Sequence, residues 1–292
     1  MEQTSMKLEG NTQLSYSSMT LLKGCEQRYV HYKVLDTPVD SDCEVDQLSF
    51  IVGTSFHAIL EWSEHQKPEK IGADLEKCVK DFNLPEDQVG LVHAMVLKYL
   101  RLHRKSNLEC VKCEYQISNK STIGYVDVIF KEKDSGKWWI CDLKTAKTFW
   151  STLPAKLPKD RQLNLYGYYY KHIAKDLGLD HHLFQGCRYR VTTKSSAKQR
   201  QYESYVEYVK RITDNNIKSY DVIIPKEKLS LQEVFNEHKS LHRRSLALRK
   251  GSEPTRNYGY CDTYFKPCPY FSQCHGDLFS NKSEDLEILK EE

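Results

Sequence analysis

The spacing of apolar residues changes near residue 108, and this change limits the folds that the chain can adopt. Before that point, apolar side chains recur about every three to four residues, as in amphipathic helices. After it come three runs in which apolar and polar residues largely alternate, LECVKCEYQIS, STIGYVDVIFKEK and GKWWICDLKTA. Such alternation is typical of β-strands. The polar segments NKS and KDSGK between the runs suit hairpin turns, in which Gly136 can supply a positive φ angle.

A helix and a further strand follow this three-strand meander. The segment DRQLNLYGYYYKHIAKDLG predicts a helix that is capped by Asp160 and closed by Gly178. The segment LFQGCRYRVTTK then predicts another strand. This order of elements indicates an α/β or α+β core in which helices cover a sheet.

Composition and charge exclude few classes of protein. The chain has 292 residues, of which 39% are hydrophobic and 28% charged, as in an ordinary globular protein. Its apolar runs are too short to cross a bilayer, and the segment MEQTSMKLEGNTQL contains no apolar stretch that could serve as a signal peptide. We therefore expect a cytoplasmic protein without a membrane partner. A net charge of +3 indicates nucleic-acid binding only if basic residues cluster locally.

We expect a single domain that spans residues 1–292 and contains four parts. Residues 12–107 are predicted to form a helical N-terminal part, and residues 108–195 the α/β core. Residues 196–276 are predicted to form a C-terminal helical part, and the acidic residues 277–292 a disordered tail.

Asp142 and Lys144 follow a buried-type run, WWIC, and lie two residues apart. In a strand they project to the same face, while Leu143 points into the core. A surface ion pair is the simpler interpretation, and such pairs contribute little stability. However, pairing of this strand with the preceding one would bring Asp127 close to Asp142. Two adjacent carboxylates repel each other unless a divalent cation neutralises them, and their oxygens suit Mg²⁺ or Mn²⁺.

Two helical segments carry polar pairs at a spacing of four residues, which places both members on one face. His57 and Glu61 form such a pair in GTSFHAILE, and Gln162 and Tyr166 form another in RQLNLYGYYY. Taken alone, each pair is better explained by helix packing.

Taken together, these residues form the order H…G-x-x-D…D-x-K…Q-x-x-x-Y, which resembles the RecB-type nuclease branch of the PD-(D/E)XK superfamily. The matching segments are GTSFHAILE, GYVDVIF, WWICDLKTAK and RQLNLYGYYY. The resemblance covers about residues 12 to 276. It implies a restriction-endonuclease-like αβββαβ core, with a mixed central sheet flanked by helices.

The resemblance also implies roles for individual residues. In that family a histidine on the helix and two acidic residues bind the catalytic metal. The matching residues in this chain are His57, Asp127 and Asp142. The backbone carbonyl of Leu143 is an additional ligand in this interpretation, and Lys144 assists catalysis.

The remaining matches are less specific. Gln162 and Tyr166 correspond to the Q-x-x-x-Y element, which helps to position the lysine or the DNA. Together with Asp127, Asp142 and Lys144 they complete the predicted catalytic set. Glu114 is a possible outer-sphere carboxylate, although a solvent-facing strand glutamate explains it equally well.

Cysteines near the C-terminus suggest a second metal site. Cys261, Cys268 and Cys274 lie within fourteen residues, and a tetrahedral thiolate site needs a fourth ligand. Cys25 is a better candidate than His275, because His275 adjoins Cys274 and neighbouring residues rarely reach one metal.

This arrangement resembles CRISPR-associated RecB-like exonucleases and AddB-type subunits, in which one N-terminal and three C-terminal cysteines hold a 4Fe-4S cluster. The resemblance implies that such a cluster joins the N- and C-terminal parts, with Zn²⁺ as the alternative. The chain departs from the common C-x-x-C-x5-C spacing, and Glu26 replaces a frequent proline. The wider spacing is similar to that of stand-alone phage nucleases.

The resemblance implies a Mg²⁺- or Mn²⁺-dependent deoxyribonuclease, and in particular an exonuclease of single-stranded or end-opened DNA in recombination, repair or replication. The setting would be a bacterial or phage-infected cell. Phosphate binding needs local positive charge. The expected contacts with the DNA backbone are Lys147, Lys159, Arg161, Lys194 and Arg200.

Other interpretations stay open at this point. A structure-selective endonuclease and a DNA-binding or assembly module of a larger complex both fit the same residues. The chain has no G-x-x-x-x-G-K-[ST] phosphate loop, so we do not expect it to hydrolyse ATP by itself, and a helicase or recombination partner is possible. No residue distinguishes exonuclease from endonuclease, or one cleavage polarity from the other.

Overall fold

The structure, a computed structural model, describes residues 12–39, 47–63, 70–263 and 266–279. Of the tail predicted at 277–292, residues 280–292 lie outside the described residues. The chain divides into two compact units, residues 46–237 and the pair of segments 1–45 and 238–292. The interpretation as a single domain stays a prediction.

Eleven described helices and seven described strands have the following bounds. The helices are α1 (Tyr16–Gly24), α2 (Glu26–Lys33), α3 (Gln47–Trp62), α4 (Ile71–Phe82), α5 (Glu86–Arg104), α6 (Leu153–Lys156), α7 (Arg161–Tyr168), α8 (Tyr170–Leu177), α9 (Tyr205–Asn215), α10 (Leu231–Arg249) and α11 (Phe271–Phe279). The strands are β1 (Leu108–Ser118), β2 (Ile123–Glu132), β3 (Trp138–Ala146), β4 (Phe184–Thr193), β5 (Ser219–Pro225), β6 (Asp262–Thr263) and β7 (Lys266–Pro267).

The unit of residues 46–237 is built on a mixed five-stranded sheet with the order β1-β2-β3-β4-β5. The pairs β1–β2 and β2–β3 are antiparallel, as hairpins require, and Gly136 has a φ of +70° in the second turn. β3 and β4 are parallel, so their connection must cross over the sheet, and α6–α8 form this crossover. The predicted fold class, a mixed sheet flanked by helices, is confirmed.

Two differences from the predicted elements have local causes. The part predicted as C-terminal and helical, 196–276, also contains β5, which extends the sheet antiparallel to β4. β5 is a short, half-buried edge strand, so its alternation is weak. The predicted helix between Asp160 and Gly178 is divided in two at Tyr169, whose ψ of 9° is not helical.

Each face of this sheet has its own apolar core. Phe56 of α3 and Tyr99 of α5 pack on the face to which Leu143 of β3 points. Leu165 of α7 packs on the opposite face, which also carries Ile140. Since side chains alternate along a strand, Asp142 and Lys144 share the face of Ile140 and α7.

The unit of segments 1–45 and 238–292 has a separate small core. Leu14, Met19, Leu22 and Tyr29 are buried there with Leu248 of α10. No helix in the described part of the chain combines the length and the apolar character that are needed to cross a bilayer.

Candidate metal and catalytic site

The two predicted aspartates lie where strands β2 and β3 separate. The ladder between these strands ends at the pair Val128–Cys141, and Asp127 and Asp142 occupy the next position on each strand. Instead of continuing the ladder, the backbone N–H of Leu143 donates to Oδ2 of Asp127 at 2.6 Å. The separation of the strands therefore leaves two carboxylates in an opening of the sheet.

His57, Glu114 and Asp127 form a group of possible metal ligands. Their ligand atoms all lie within 4.8 Å of one another. His57 comes from α3, whereas Glu114 of β1 lies opposite Asp127 of β2, between the pairs Cys113–Val128 and Tyr115–Val126. Glu114 thus lies beside two of the predicted ligands, although no sequence pattern distinguishes it from a solvent-facing strand glutamate.

The backbone of Glu114 is unusual for a residue with a side chain. Its φ is +46°, in the left-handed region that favours glycine, and a shift of the β1–β2 register precedes it at Cys110 and Lys112. Such a conformation costs on the order of 1–3 kcal/mol and persists where the surroundings enforce it, often at functional sites. Here the conformation accompanies the placement of the carboxylate beside Asp127 and His57.

The protonation of this group suits metal binding near neutral pH. Burial, assisted by the charge of Lys144, lowers the pKa of His57 to about 4, so its imidazole is neutral and can act as a ligand. Burial and the neighbouring charges of Asp127 and Glu61 raise the pKa of Glu114 to about 7. Burial also raises the pKa of Asp127, against the effect of Lys144 and of the Leu143 N–H. A cation would relieve this crowding of negative charge.

Lys144 is held between two partners on the α7 face of the sheet. Its Nζ donates to Oδ1 of Asp142 at 2.9 Å and to Oε1 of Gln162 at 3.1 Å. Burial lowers the pKa of Lys144, but the negative charges of Asp142 and Asp127 have the larger combined effect, so the net pKa is raised. Lys144 is therefore a fixed cation beside the acidic group.

Asp142 offers a further ligand position. The residue is 2% exposed, and within the described part of the chain its buried Oδ2 has no hydrogen-bond partner. Burial raises the pKa of this carboxyl, against the effect of Lys144. Buried polar atoms usually have a partner, so an orphaned carboxylate oxygen fits a site that takes a cation. The oxygen and imidazole donors here suit Mg²⁺ or Mn²⁺.

Tyr166 closes the site on the side of α7. It shares a hydrogen bond with Gln162, one turn away, and burial raises its pKa to about 12. A Cβ atom on Gly124 would lie 2.7 Å from Cε1 of Tyr166. The glycine of the G-x-x-D segment thus provides the space that this ring occupies.

The structure separates the five basic residues that are predicted to contact DNA. Lys147 and Lys194, which come directly after β3 and β4, line one cavity of about 450 Å³. The Nε of Arg161 is paired at 2.9 Å with a carboxylate of α10. Lys159 and Arg200 are exposed and do not line this cavity.

The four predicted cluster cysteines line one cavity in the unit of segments 1–45 and 238–292. They are Cys25, Cys261, Cys268 and Cys274. Burial and then the neighbouring sulfurs raise the pKa of Cys261 and of Cys274, whereas Arg256 acts in the opposite direction. His275, which sequence reasoning set aside, also lines this cavity, with its Nε2 3.7 Å from Sγ of Cys261.

Comparison with known families identifies the superfamily of the chain. The sequence model of the PD-(D/E)XK nuclease superfamily matches residues 13–275, which is most of the chain. The chain belongs to the PD-(D/E)XK nuclease superfamily. The resemblance seen in the sequence is therefore confirmed at the level of the superfamily, whose nucleases generally use divalent metal ions.

This PD-(D/E)XK chain is also similar to a crystal structure of a candidate exonuclease from Eubacterium rectale. The TM-score is 0.46 and the sequence identity 12%, over 88% of this chain and 90% of that one. No curated protein matches the chain.

Proposed function

We propose that this chain is a metal-dependent DNA nuclease that hydrolyses phosphodiester bonds. The observation that carries the proposal is the convergence of an acidic group, His57, Glu114 and Asp127, with the pair Asp142–Lys144 where β2 and β3 separate. Membership of the PD-(D/E)XK superfamily supports it.

The proposed metal ligands are His57, Asp127 and Asp142, with the carbonyl of Leu143, as the resemblance implies. We add Glu114, because its carboxylate lies within the same group as His57 and Asp127. A Mg²⁺ or Mn²⁺ ion at such a site lowers the pKa of a coordinated water and offsets phosphate charge.

The proposed roles of the other residues follow from their contacts. Lys144 keeps its proton, so it acts as a cation that stabilises negative charge developing on the phosphate. Gln162 holds the ammonium of Lys144 from α7, and Tyr166 buttresses Gln162. This arrangement fixes the lysine before the substrate binds, which lowers the reorganisation that catalysis requires.

The proposed substrate is linear single-stranded or end-opened DNA, processed by an exonuclease during recombination, repair or replication. The resemblance of the motif order to RecB-type nucleases supports this choice. A structure-selective endonuclease and a DNA-binding module without activity are the alternatives.

The shape of the substrate separates these alternatives. We expect the protein with Mn²⁺ to degrade linear single-stranded DNA and to leave a covalently closed single-stranded circle of the same sequence intact. Gel analysis of both substrates over time is the measurement. Cleavage of the circle at the same rate would indicate an endonuclease, and stable binding of both without cleavage would indicate a binding module.

We further propose that Cys25, Cys261, Cys268 and Cys274 hold a 4Fe-4S cluster, with Zn²⁺ as the alternative. Four thiols around one cavity are a suitable donor set for either group. Burial raises the pKa of Cys261, against the effect of Arg256, so binding of the metal would release the thiol protons. The backbone N–H of Cys268 donates to the carbonyl of Cys261 at 2.8 Å, which holds two of the ligands together. The role of the cluster would be structural.

The visible absorption spectrum tests this assignment. We expect anaerobically purified protein to show a broad visible band that reduction bleaches and that Cys268→Ser removes. Cys110→Ser, a cysteine of the other unit, should keep the band. A colourless protein with one zinc ion per chain would contradict the iron–sulfur assignment.

A further inference from the structure

One side of helix α3 connects the proposed metal site with the cavity of Lys147 and Lys194. Ser49, Gly53 and His57 are spaced by four residues, so they lie along the same side of the helix. His57 belongs to the acidic group, and a Cβ atom on Gly53 would lie 3.3 Å from Oγ1 of Thr145, near the end of β3. This side of α3 therefore runs from the metal site along the end of β3.

The far end of this side holds a lysine in place. The Nζ of Lys194 donates to the carbonyl oxygen and to Oγ of Ser49, at 2.8 Å and 2.6 Å. From His57 to Ser49 the helix rises by about 12 Å. A DNA strand whose phosphate lies at the metal site can reach this point within a few nucleotides.

The parallel pairing of β3 and β4 brings the two lysines to one edge of the sheet. Ala146 pairs with Thr193, the last residue of its strand, and the N–H of Lys194 donates to the carbonyl of Ala146 at 2.7 Å. Lys147 and Lys194 each follow directly after these strand ends. Two cations thus flank one cavity although they are 47 positions apart in the sequence.

The cavity has the size and the lining of a nucleotide site. Its volume of about 450 Å³ is in the range typical of small-molecule sites. Leu48, Val52 and Leu91 give it an apolar wall, Gln88 adds an amide and Lys147 an ammonium. An apolar wall suits the flat faces of a base, the amide can bond to its edge, and the exposed ammonium suits a phosphate.

We propose that this cavity is a subsite for one nucleotide of the DNA strand, a few nucleotides from the bond that is cleaved. Lys147 binds the phosphate, and the apolar wall receives the base. A base inside a cavity cannot remain paired and stacked in a duplex, so the subsite favours an unpaired strand. This inference rests on the proposed nuclease function and specifies its substrate.

Binding of short oligonucleotides tests the subsite. The probe is a fluorescein-labelled oligothymidylate, measured by fluorescence anisotropy, with Lys144→Met as the common background so that the probe is not cleaved. We expect Lys147→Gln to weaken binding about tenfold, which is about 1.4 kcal/mol, through the loss of one charge-assisted contact with the phosphate. The slope of log affinity against log salt should become smaller by about 0.7, as for one lost contact with a single-stranded phosphate.

Two further variants make the test specific. Leu48 is 44% exposed, so Leu48→Glu should preserve the fold while it adds a negative charge to the cavity and weakens binding. Lys175→Gln, an exposed lysine of α8 that does not line the cavity, removes the same charge and should leave binding unchanged.

The outcomes separate the subsite from the nuclease function. If Lys147→Gln and Leu48→Glu bind the probe as tightly as the background protein, or if Lys175→Gln weakens binding equally, the subsite is wrong while the nuclease proposal stands. If a blunt duplex binds as tightly as the single strand and responds equally to Lys147→Gln, the preference for an unpaired strand is wrong. If the background protein binds no oligonucleotide, both proposals fail.

Discussion

Lys144→Met is expected to lower the rate of DNA cleavage by about 10²–10³-fold, the loss typical when one preorganised charge partner of a transition state is removed. The side chain keeps its length but loses the ammonium that donates to Asp142 and Gln162. The measurement is the initial rate of degradation of end-labelled single-stranded DNA at saturating Mn²⁺.

The same variant should still bind Mn²⁺, because Lys144 is a charge partner and not a ligand. Calorimetric titration with Mn²⁺ therefore separates a loss of catalysis from a loss of the metal. Lys175→Met is the matched control, since it changes an exposed lysine of α8 in the same way. A Lys144→Met protein that cleaves DNA at the rate of Lys175→Met would exclude a catalytic role for Lys144.

Glu114→Gln is expected to weaken Mn²⁺ binding and, at the same time, to stabilise the metal-free protein at pH 8. The carboxylate is crowded by burial, by Asp127 and by Glu61, which together raise its pKa from 4.5 to about 7. A neutral amide of the same size avoids this crowding but is a poorer metal ligand. Residues of a binding site often lower the stability of the free protein, and Glu114 fits this pattern if it is needed to bind the metal.

The pH dependence has a definite sign. In the unfolded chain Glu114 ionises near pH 4.5, whereas in the fold it ionises only near pH 7. The metal-free protein therefore loses stability as the pH rises through this interval, by at most about 3.5 kcal/mol at about 1.4 kcal/mol per pKa unit, and by less to the extent that solvent screens the carboxylate. Below pH 4.5 the group is protonated in both states, so Glu114→Gln should bring no such gain there.

Urea unfolding of the metal-free proteins at pH 8 and pH 4, followed by titration with Mn²⁺ at pH 8, measures both effects. Glu109→Gln is the control on the same strand, because Glu109 forms an ion pair with Lys131 at the surface and changes stability by less than about 1 kcal/mol. A Glu114→Gln protein that binds Mn²⁺ like wild type would remove Glu114 from the proposed ligands.

The sheet could be predicted because its signals are local. Three alternating runs with short polar turns give two hairpins, and Gly136 has the positive φ that its turn needs. The spacing of Asp142 and Lys144 likewise predicts a shared face, and their side chains are in contact at 2.9 Å. The four-segment order placed Asp127 and Gln162 near this pair, because the fold of the superfamily fixes their strand and helix.

Features that depend on tertiary geometry could not be predicted in this way. The position of Glu114 beside His57 accompanies a left-handed φ and a shifted strand register, neither of which leaves a pattern in the sequence. A side chain at position 124 would collide with the ring of Tyr166, which is 42 positions away in the sequence, so local spacing does not explain why Gly124 is a glycine. Lys147 and Lys194 meet because of a parallel strand pair, a long-range contact that local spacing does not reveal.

Dependence of DNA cleavage on a divalent ion tests the central claim most directly. End-labelled single-stranded DNA is incubated with protein that has been stripped of divalent ions by a chelator, before and after addition of Mn²⁺. We predict no degradation before the addition and progressive shortening from an end after it, with Asp127→Asn inactive in both cases. Equal degradation by the stripped protein, or by Asp127→Asn with Mn²⁺, would contradict a metal-dependent nuclease site at this position.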